Sequence, residues 1–134
     1  MNIWCRGFNS ISVPKASSMR VVSFILVMAC IKLSSFNCKN FNNQFKQAYV
    51  GRLLQENDFL LIQEHWLYES QFHLFEELDQ KTGVCVHGKS SMDPGILRQG
   101  RPYGGSAILW KSNIMFKVEP IATCSERLNV TVSS

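Results

Sequence analysis

An α/β layered sandwich is the fold class this sequence predicts, and three observations predict it. In the first half, short apolar runs of strand length alternate with segments of helical period. The run Phe59–Leu60–Leu61–Ile62 is apolar throughout, as in a strand buried on both faces of a sheet. The second half carries only strand-like runs, separated by Gly, Pro and Ser. The order strand, helix, strand, helix, then mostly strands implies a mixed sheet with helices on one face.

Residues 1–30 read as a poorly defined extension and residues 31–134 as the domain. The first twenty or so hold Gly7, Pro14 and a Ser-rich stretch without sustained periodicity, which predicts weak structure. Within them Cys5–Arg6–Gly7–Phe8–Asn9–Ser10 echoes Cys38–Lys39–Asn40–Phe41–Asn42–Asn43, a match short enough to arise by chance. Val21 to Ile31 is apolar except for Ser23 and follows Lys15 and Arg20. Its length suits the hydrophobic region of a signal peptide and is too short for a membrane span. An extended first strand, or sequence upstream of the domain, is the favoured reading. Asn129–Val130–Thr131 is a glycosylation sequon, which matters only in a secreted chain.

From Ile31 the pattern is regular. Ile31 to Phe36 reads as a strand ending in Asn37. Asn43 is placed to cap a helix running to about Glu56, with Phe45, Tyr49, Val50, Leu53 and Leu54 as its apolar face. Phe59 to Gln63 is the buried strand. Ser70 is placed to cap a second short helix with Phe72, Phe75 and Leu78 inward, and Val84–Cys85–Val86 is a short strand. A loop rich in Gly, Ser and Pro spans 88–104. Gly105 to Trp110 and Ile114 to Val118 are strands joined by Lys111–Ser112–Asn113, as in a hairpin. Leu128 to Val132 alternates cleanly as a final half-buried strand. A sheet built from these strands would expose an apolar face and an open edge, as expected of a piece of a longer polypeptide.

Composition narrows the function classes. Apolar residues make up 46% and charged residues 18% of the 134, which is globular rather than disordered. A net charge of +4 is compatible with nucleic acid and too small to argue for it alone, and the basic residues Lys39, Lys46, Arg52, Arg98, Arg101 and Lys111 are scattered. None of the five cysteines forms a Cys-x-x-Cys, which counts against structural zinc and reads as free thiols in a reducing compartment.

Two polar residues carry the functional reading. Asn37 ends a strand-like run and Glu64 follows an apolar one, one helix apart. A carboxylate at the end of a buried strand is held by a rigid scaffold while still reaching a cleft. A Glu carboxylate and an Asn carbonyl suit a hard divalent cation such as magnesium, which takes oxygen ligands and keeps several waters.

The wording and order of the segments add a resemblance. Ser35–Phe36–Asn37, a helix, Leu60–Leu61–Ile62–Gln63–Glu64–His65–Trp66, then Gly104–Gly105–Ser106–Ala107–Ile108–Leu109–Trp110, then Ser125–Glu126–Arg127 leading into Val130 to Ser134 resembles the endonuclease/exonuclease/phosphatase superfamily. The phrase Gly100–Arg101–Pro102–Tyr103–Gly104–Gly105 before an Ala-Ile-Leu-Trp strand looks most like the endonuclease domain of non-long-terminal-repeat retrotransposons. The resemblance covers about residues 31–134. It implies a four-layer α/β/β/α sandwich, here only about its first half, and magnesium-dependent phosphodiester hydrolysis of DNA, with manganese as a substitute metal. It implies Glu64 as direct metal ligand, Asn37 as the residue orienting the phosphate or a metal-bound water, and Arg127 near the DNA phosphate backbone. It also implies a nuclear or cytoplasmic location without stable membrane association. The superfamily's later segments supply a Tyr, an Asp-x-Asn pair and a closing Asp-His pair. This sequence contains neither an Asp-x-Asn nor an Asp-His, and Tyr103 lies in the wrong segment to replace the Tyr. His65 beside Glu64 is a tempting base, but neighbours on a strand point to opposite faces. The chain alone is therefore expected to be catalytically inactive. A degenerate remnant that binds nucleic acid through the basic loop from Lys89 to Arg101 is the alternative.

Overall fold

The strand most visible in the sequence lies inside a sheet covered on both sides. The computed structural model describes residues 2–6, 8–12, 31–95, 102–122 and 127–133. In chain order these form β1 (Asn2–Arg6), β2 (Phe8–Ser12), β3 (Leu33–Asn37), α1 (Gln44–Glu56), β4 (Phe59–Gln63), the short α2 (His73–Glu76), β5 (Val84–Lys89), β6 (Ser106–Lys111), β7 (Lys117–Ile121) and β8 (Leu128–Ser133). Single 3-10 turns at Glu69–Gln71 and Glu77–Asp79 flank α2.

One sheet has the order β3-β4-β6-β5, with β3 and β4 parallel and the other neighbours antiparallel. It is mixed, as predicted. Successive side chains of a strand point to opposite faces, so β4 and β6 divide their apolar residues between two cores. Leu60, Ile62, Ala107 and Leu109 pack with Val50 and Leu54 of α1 and with Phe75 of α2. Phe59, Leu61, Ile108 and Trp110 pack with Leu128, Val130 and Val132 of β8. β8 belongs to a second, antiparallel sheet of order β2-β1-β8-β7. Helices, mixed sheet and antiparallel sheet thus form three layers among the described residues.

α1 starts where the sequence predicts. The Asn43 Oδ1 accepts from the backbone N–H groups of Phe45 at 3.0 Å and Lys46 at 3.3 Å, satisfying donors that the helix itself leaves unpaired. Its inward face is narrower than predicted. Val50 and Leu54 are buried and Leu53 is half-buried, whereas Tyr49 is exposed and Phe45 projects into solvent. At about 100° per residue, position 45 lies roughly 180° around the helix from position 54, so the five apolar positions cannot share a face.

Other expectations are corrected. β6 and Ile114–Val118 do not form a hairpin: β7 begins at Lys117 and pairs with β8 in the other sheet. Ile114 and Phe116 pack into the core between the sheets as the chain crosses. Pro120 sits in β7, at the end of the strand order, where a missing N–H costs no interior ladder bond. Residues 2–6 and 8–12, expected to be weakly structured, pair as a β-hairpin whose first strand adds to β8. The second helix is broken into turns, although Phe75 is buried and Phe72 and Leu78 are half-buried as predicted. The outward face of β7 and β8 is more polar than expected, with Lys117, Glu119, Asn129 and Thr131 opposite the core-facing Val118, Val130 and Val132. The apolar run from Val21 to Cys30 lies outside the described residues, and among those described no helix is long and apolar enough to cross a membrane. Cys38 and Cys85 are free thiols.

Candidate functional site: the polar end of the mixed sheet

Because β3 and β4 are parallel, both finish at the same end of the sheet. The register aligns Asn37 with Gln63, Gln63 with Ser106, and Ser106 with Lys89. One complete cross-strand row is therefore amide, amide, hydroxyl and ammonium. Two rows further in, on the same face, the residues are Ser35, Leu61, Ile108 and His87. Period two aims both rows at the space between the sheets, where the apolar core gives way to polar groups. Ser35 and Gln63 fasten to each other, the Gln63 Nε2 donating to the Ser35 Oγ at 2.9 Å. Asn37 is exposed at the strand end.

Beyond Gln63 the backbone leaves the β region. Glu64 has φ +56° and Trp66 φ +58°, a conformation that costs a non-glycine residue about 1–3 kcal/mol and persists only where its surroundings enforce it. The enforcement is visible on both sides. The N–H groups of Glu64 and Trp66 donate to the carbonyls of Gly105 and Gly104, each at 2.9 Å, while the carbonyls of Glu64 and His65 accept from Asn40 at 3.0 Å and Phe41 at 2.9 Å.

The turn presents the Glu64 carboxylate in a cradle. Its Oε2 accepts from the Trp66 indole Nε1 at 2.9 Å and from the Gly104 N–H at 3.2 Å. Both donors reach the same oxygen, which fixes the carboxylate and leaves Oε1 for a ligand. The cradle needs two glycines. Gly104 and Gly105 have φ +66° and +87°. A Cβ at Gly105 would fall 2.2 Å from the His65 ring, and one at Gly104 would fall 2.5 Å from the Ser91 Oγ.

His65, next in sequence, has the opposite fate. Its ring is fully buried between Phe72 and Phe75, which meet it edge-on. Nδ1 accepts from the Leu67 N–H at 2.9 Å, so the proton lies on Nε2, which donates to the Lys89 carbonyl at 3.1 Å. Burial pushes its pKa below the usual histidine value, against the opposing pull of the Lys89 and Ser106 carbonyls and the Glu64 charge. It is a neutral brace for the turn, with both nitrogens committed, and not a base. Cys38, buried beneath the same loop, has its thiol pushed up to about 11 by burial, against the pull of the Lys46 charge, which excludes it as a thiolate nucleophile.

Asn37 and Glu64 thus lie at neighbouring strand ends, Glu64 one residue beyond the partner of Asn37. Arg127 is exposed at the start of β8, in the other sheet. Arg98, Gly100, Arg101, Ser125 and Glu126 lie outside the described residues. The sequence reading missed the roles of Trp66, Gly104, Gly105, Gln63, Ser106 and Lys89. Consecutive glycines just before an apolar strand signal close backbone approach, and that sign was present. Among the described residues no group of three or more His, Cys, Asp or Glu side chains converges as a metal cluster. No protein-family model matches this chain, and no curated protein matches it.

Proposed function

We propose that this chain provides the metal-binding strand ends of a magnesium- or manganese-dependent phosphodiesterase acting on DNA, of the endonuclease/exonuclease/phosphatase type, and that it does not cleave DNA by itself. The observation that carries this reading is the half-saturated Glu64 carboxylate, held by Oε2 in a strained turn one residue beyond Gln63, the cross-strand partner of Asn37. Strain maintained at a polar strand end points to function more than to stability. The stacking of helices on a mixed sheet on a second sheet supports a four-layer α/β/β/α arrangement as the complete fold. The motif order from Asn37 through Glu64 and Gly104–Gly105 supports the retrotransposon-type endonuclease within that group.

The residues present fit a hard cation that keeps most of its waters. The Glu64 Oε1 and the Asn37 carbonyl oxygen would hold it, two oxygen ligands being enough when substrate phosphate and water complete the shell. When bound, the cation supplies positive charge to a phosphate oxygen. Trp66 and Gly104 keep the carboxylate aimed, and Gln63, braced by Ser35, keeps the floor of the site rigid. Lys89 in the same row and Arg127 just before β8 add positive charge for the phosphate backbone. His65 does not serve as the base that removes a proton from water, since both its ring nitrogens are committed to the backbone.

The test is a manganese titration followed by line broadening of backbone amide signals. Broadening centred on Glu64, Asn37 and Gly104, and lost in Glu64→Gln, is the expected result; uniform broadening, or none, would overturn the metal assignment. Plasmid incubated with the wild-type chain and magnesium should stay un-nicked. Nicking that disappears in Glu64→Ala would show the claim of inactivity to be wrong. A second reading, a non-catalytic nucleic-acid-binding remnant, rests on the net positive charge of the chain. That reading expects DNA binding that weakens steeply with salt and no localised manganese effect.

A further inference from the structure

The outward stripe of α1 combines aromatic and basic side chains. Phe45 is the most exposed large apolar side chain among the described residues, at 89%, and Tyr49 is 41% exposed. At about 100° per residue, Phe45, Tyr49 and Arg52 lie within roughly 60° of one another on one line of the helix. Tyr49 is held in place: its ring packs against Phe36 with centroids 5.1 Å apart, and the Arg52 guanidinium carbon lies 5.6 Å from its centroid. Lys46 and Arg52 are the charged residues of α1 until Glu56, its last residue. The exposed Lys39 sits in the loop that leads from Asn37 into this helix, so the stripe begins at the same end of the sheet as the Glu64 cradle.

Lys39 before the two rings and Arg52 after them are cations that a purely apolar partner would leave unpaired. A nucleic acid strand has a use for rings and cations alike, since bases of any sequence stack on aromatic faces while phosphates pair with basic side chains. We propose that α1 is a platform for single-stranded DNA, on which an unpaired base stacks on Phe45 while Arg52, steadied over the Tyr49 ring, and Lys39 hold the flanking phosphates. The platform rests on reading the chain as a DNA-acting protein, and it adds the form of DNA engaged: a strand with unpaired bases next to the site of Glu64.

The test measures anisotropy of a short fluorescein-labelled oligothymidylate titrated with the full chain, with a duplex of the same length beside it. The single strand should bind more tightly than the duplex. Phe45→Ala should weaken single-strand binding about tenfold, the usual loss of one stacked base, and Phe45→Trp should restore it. Arg52→Gln should lower the salt dependence by about one phosphate contact. Phe45 is exposed, so unchanged melting of Phe45→Ala confirms that folding is not the cause. Equal affinity for duplex and single strand, no oligothymidylate binding, or wild-type binding by Phe45→Ala overturns the proposal. So does a concentration-dependent dimer that Phe45→Ala dissolves, which would assign the stripe to a second copy of the chain. The manganese titration reads Glu64 separately. Oligothymidylate binding kept without a manganese site sustains the platform and sinks the phosphodiesterase reading, and the reverse result sinks the platform alone.

Discussion

The middle and the end of the mixed sheet obey different rules. In the middle, Leu60, Ile62, Ala107 and Leu109 face the helices, and Phe59, Leu61, Ile108 and Trp110 face the second sheet. The alternation is perfect and every one of these residues is buried. At the end, Glu64 and Trp66 take left-handed backbone, His65 turns into the core, and two glycines allow the chains to meet. The middle buries apolar area, which is non-directional and tolerates exchange of one side chain for another of similar volume. The end depends on hydrogen bonds whose geometry admits little substitution. Most of the buried apolar area lies in the first region, and the contacts of exacting geometry lie in the second.

The sharpest way to break this contrast adds or removes a single carbon in each region. Gly105→Ala adds a Cβ 2.2 Å from a buried ring, at φ +87°. Left-handed strain of about 1–3 kcal/mol and overpacking of about 1–3 kcal/mol should lower stability by roughly 2–5 kcal/mol. Ile108→Val removes one carbon from the fully buried middle and should cost about 0.5–1.5 kcal/mol. Urea denaturation of both variants measures the difference. Equal losses would mean that the end of the sheet is ordinary packing and that the glycine pair has no special role.

The two regions also differed in how far the sequence revealed them. Period and capping are local, so β4, β8 and the Asn43 cap could be read from neighbouring residues. The wide apolar face assigned to α1 failed because spacings of three and four drift around the helix, carrying Phe45 to the solvent side. The hairpin failed because Lys111–Ser112–Asn113 is a genuine local turn signal, while the partner of the next strand is decided by Ile114 and Phe116 entering the core between the sheets. Asn37 and Glu64 could be placed at neighbouring strand ends because Asn37 ends a strand-like run and Glu64 follows an apolar one. The cradle could not, because Gly104 reaches Glu64 across 40 residues of chain, and no periodicity reports a contact of that range. The separation of His65 from Glu64 was expected from strand alternation, but it arises from the turn, since the strand ends at Gln63.

Acid probes the same end of the sheet with a smaller effect. Burial holds the pKa of His65 below the usual 6.5, and burial does the same for His87. The unfolded chain takes up protons at these residues near pH 6.5, whereas the folded chain resists until the pH is lower. The contribution to stability is therefore full above about pH 6.5 and declines as the pH falls below it, by at most about 1.4 kcal/mol per pH unit for each histidine. Denaturant melts between pH 7.5 and 5 should show this decline, and His65→Gln should make it shallower. An unchanged slope in that variant would mean that His65 is protonated in the folded chain and does not brace the turn as a neutral ring.

The smallest effect separates strain from chemistry at Glu64. At φ +56° the usual ranking of small residues inverts, since glycine takes this conformation freely and alanine does not. Glu64→Gly and Glu64→Ala both remove the carboxylate with its bonds to Trp66 and Gly104, so those losses cancel when the two are compared. What remains is backbone strain in the folded state against the extra freedom glycine gives the unfolded chain, terms of about 1–3 and 0.4–1 kcal/mol. Glu64→Gly should therefore be the more stable of the two by about 1 kcal/mol, and neither should show localised manganese broadening. If Glu64→Ala proved the more stable, the left-handed turn would be a consequence of the carboxylate's own hydrogen bonds. The strain would then have no independent existence, and the strand end would be shaped by Glu64 rather than prepared for it by Gly104, Gly105 and the buried ring of His65.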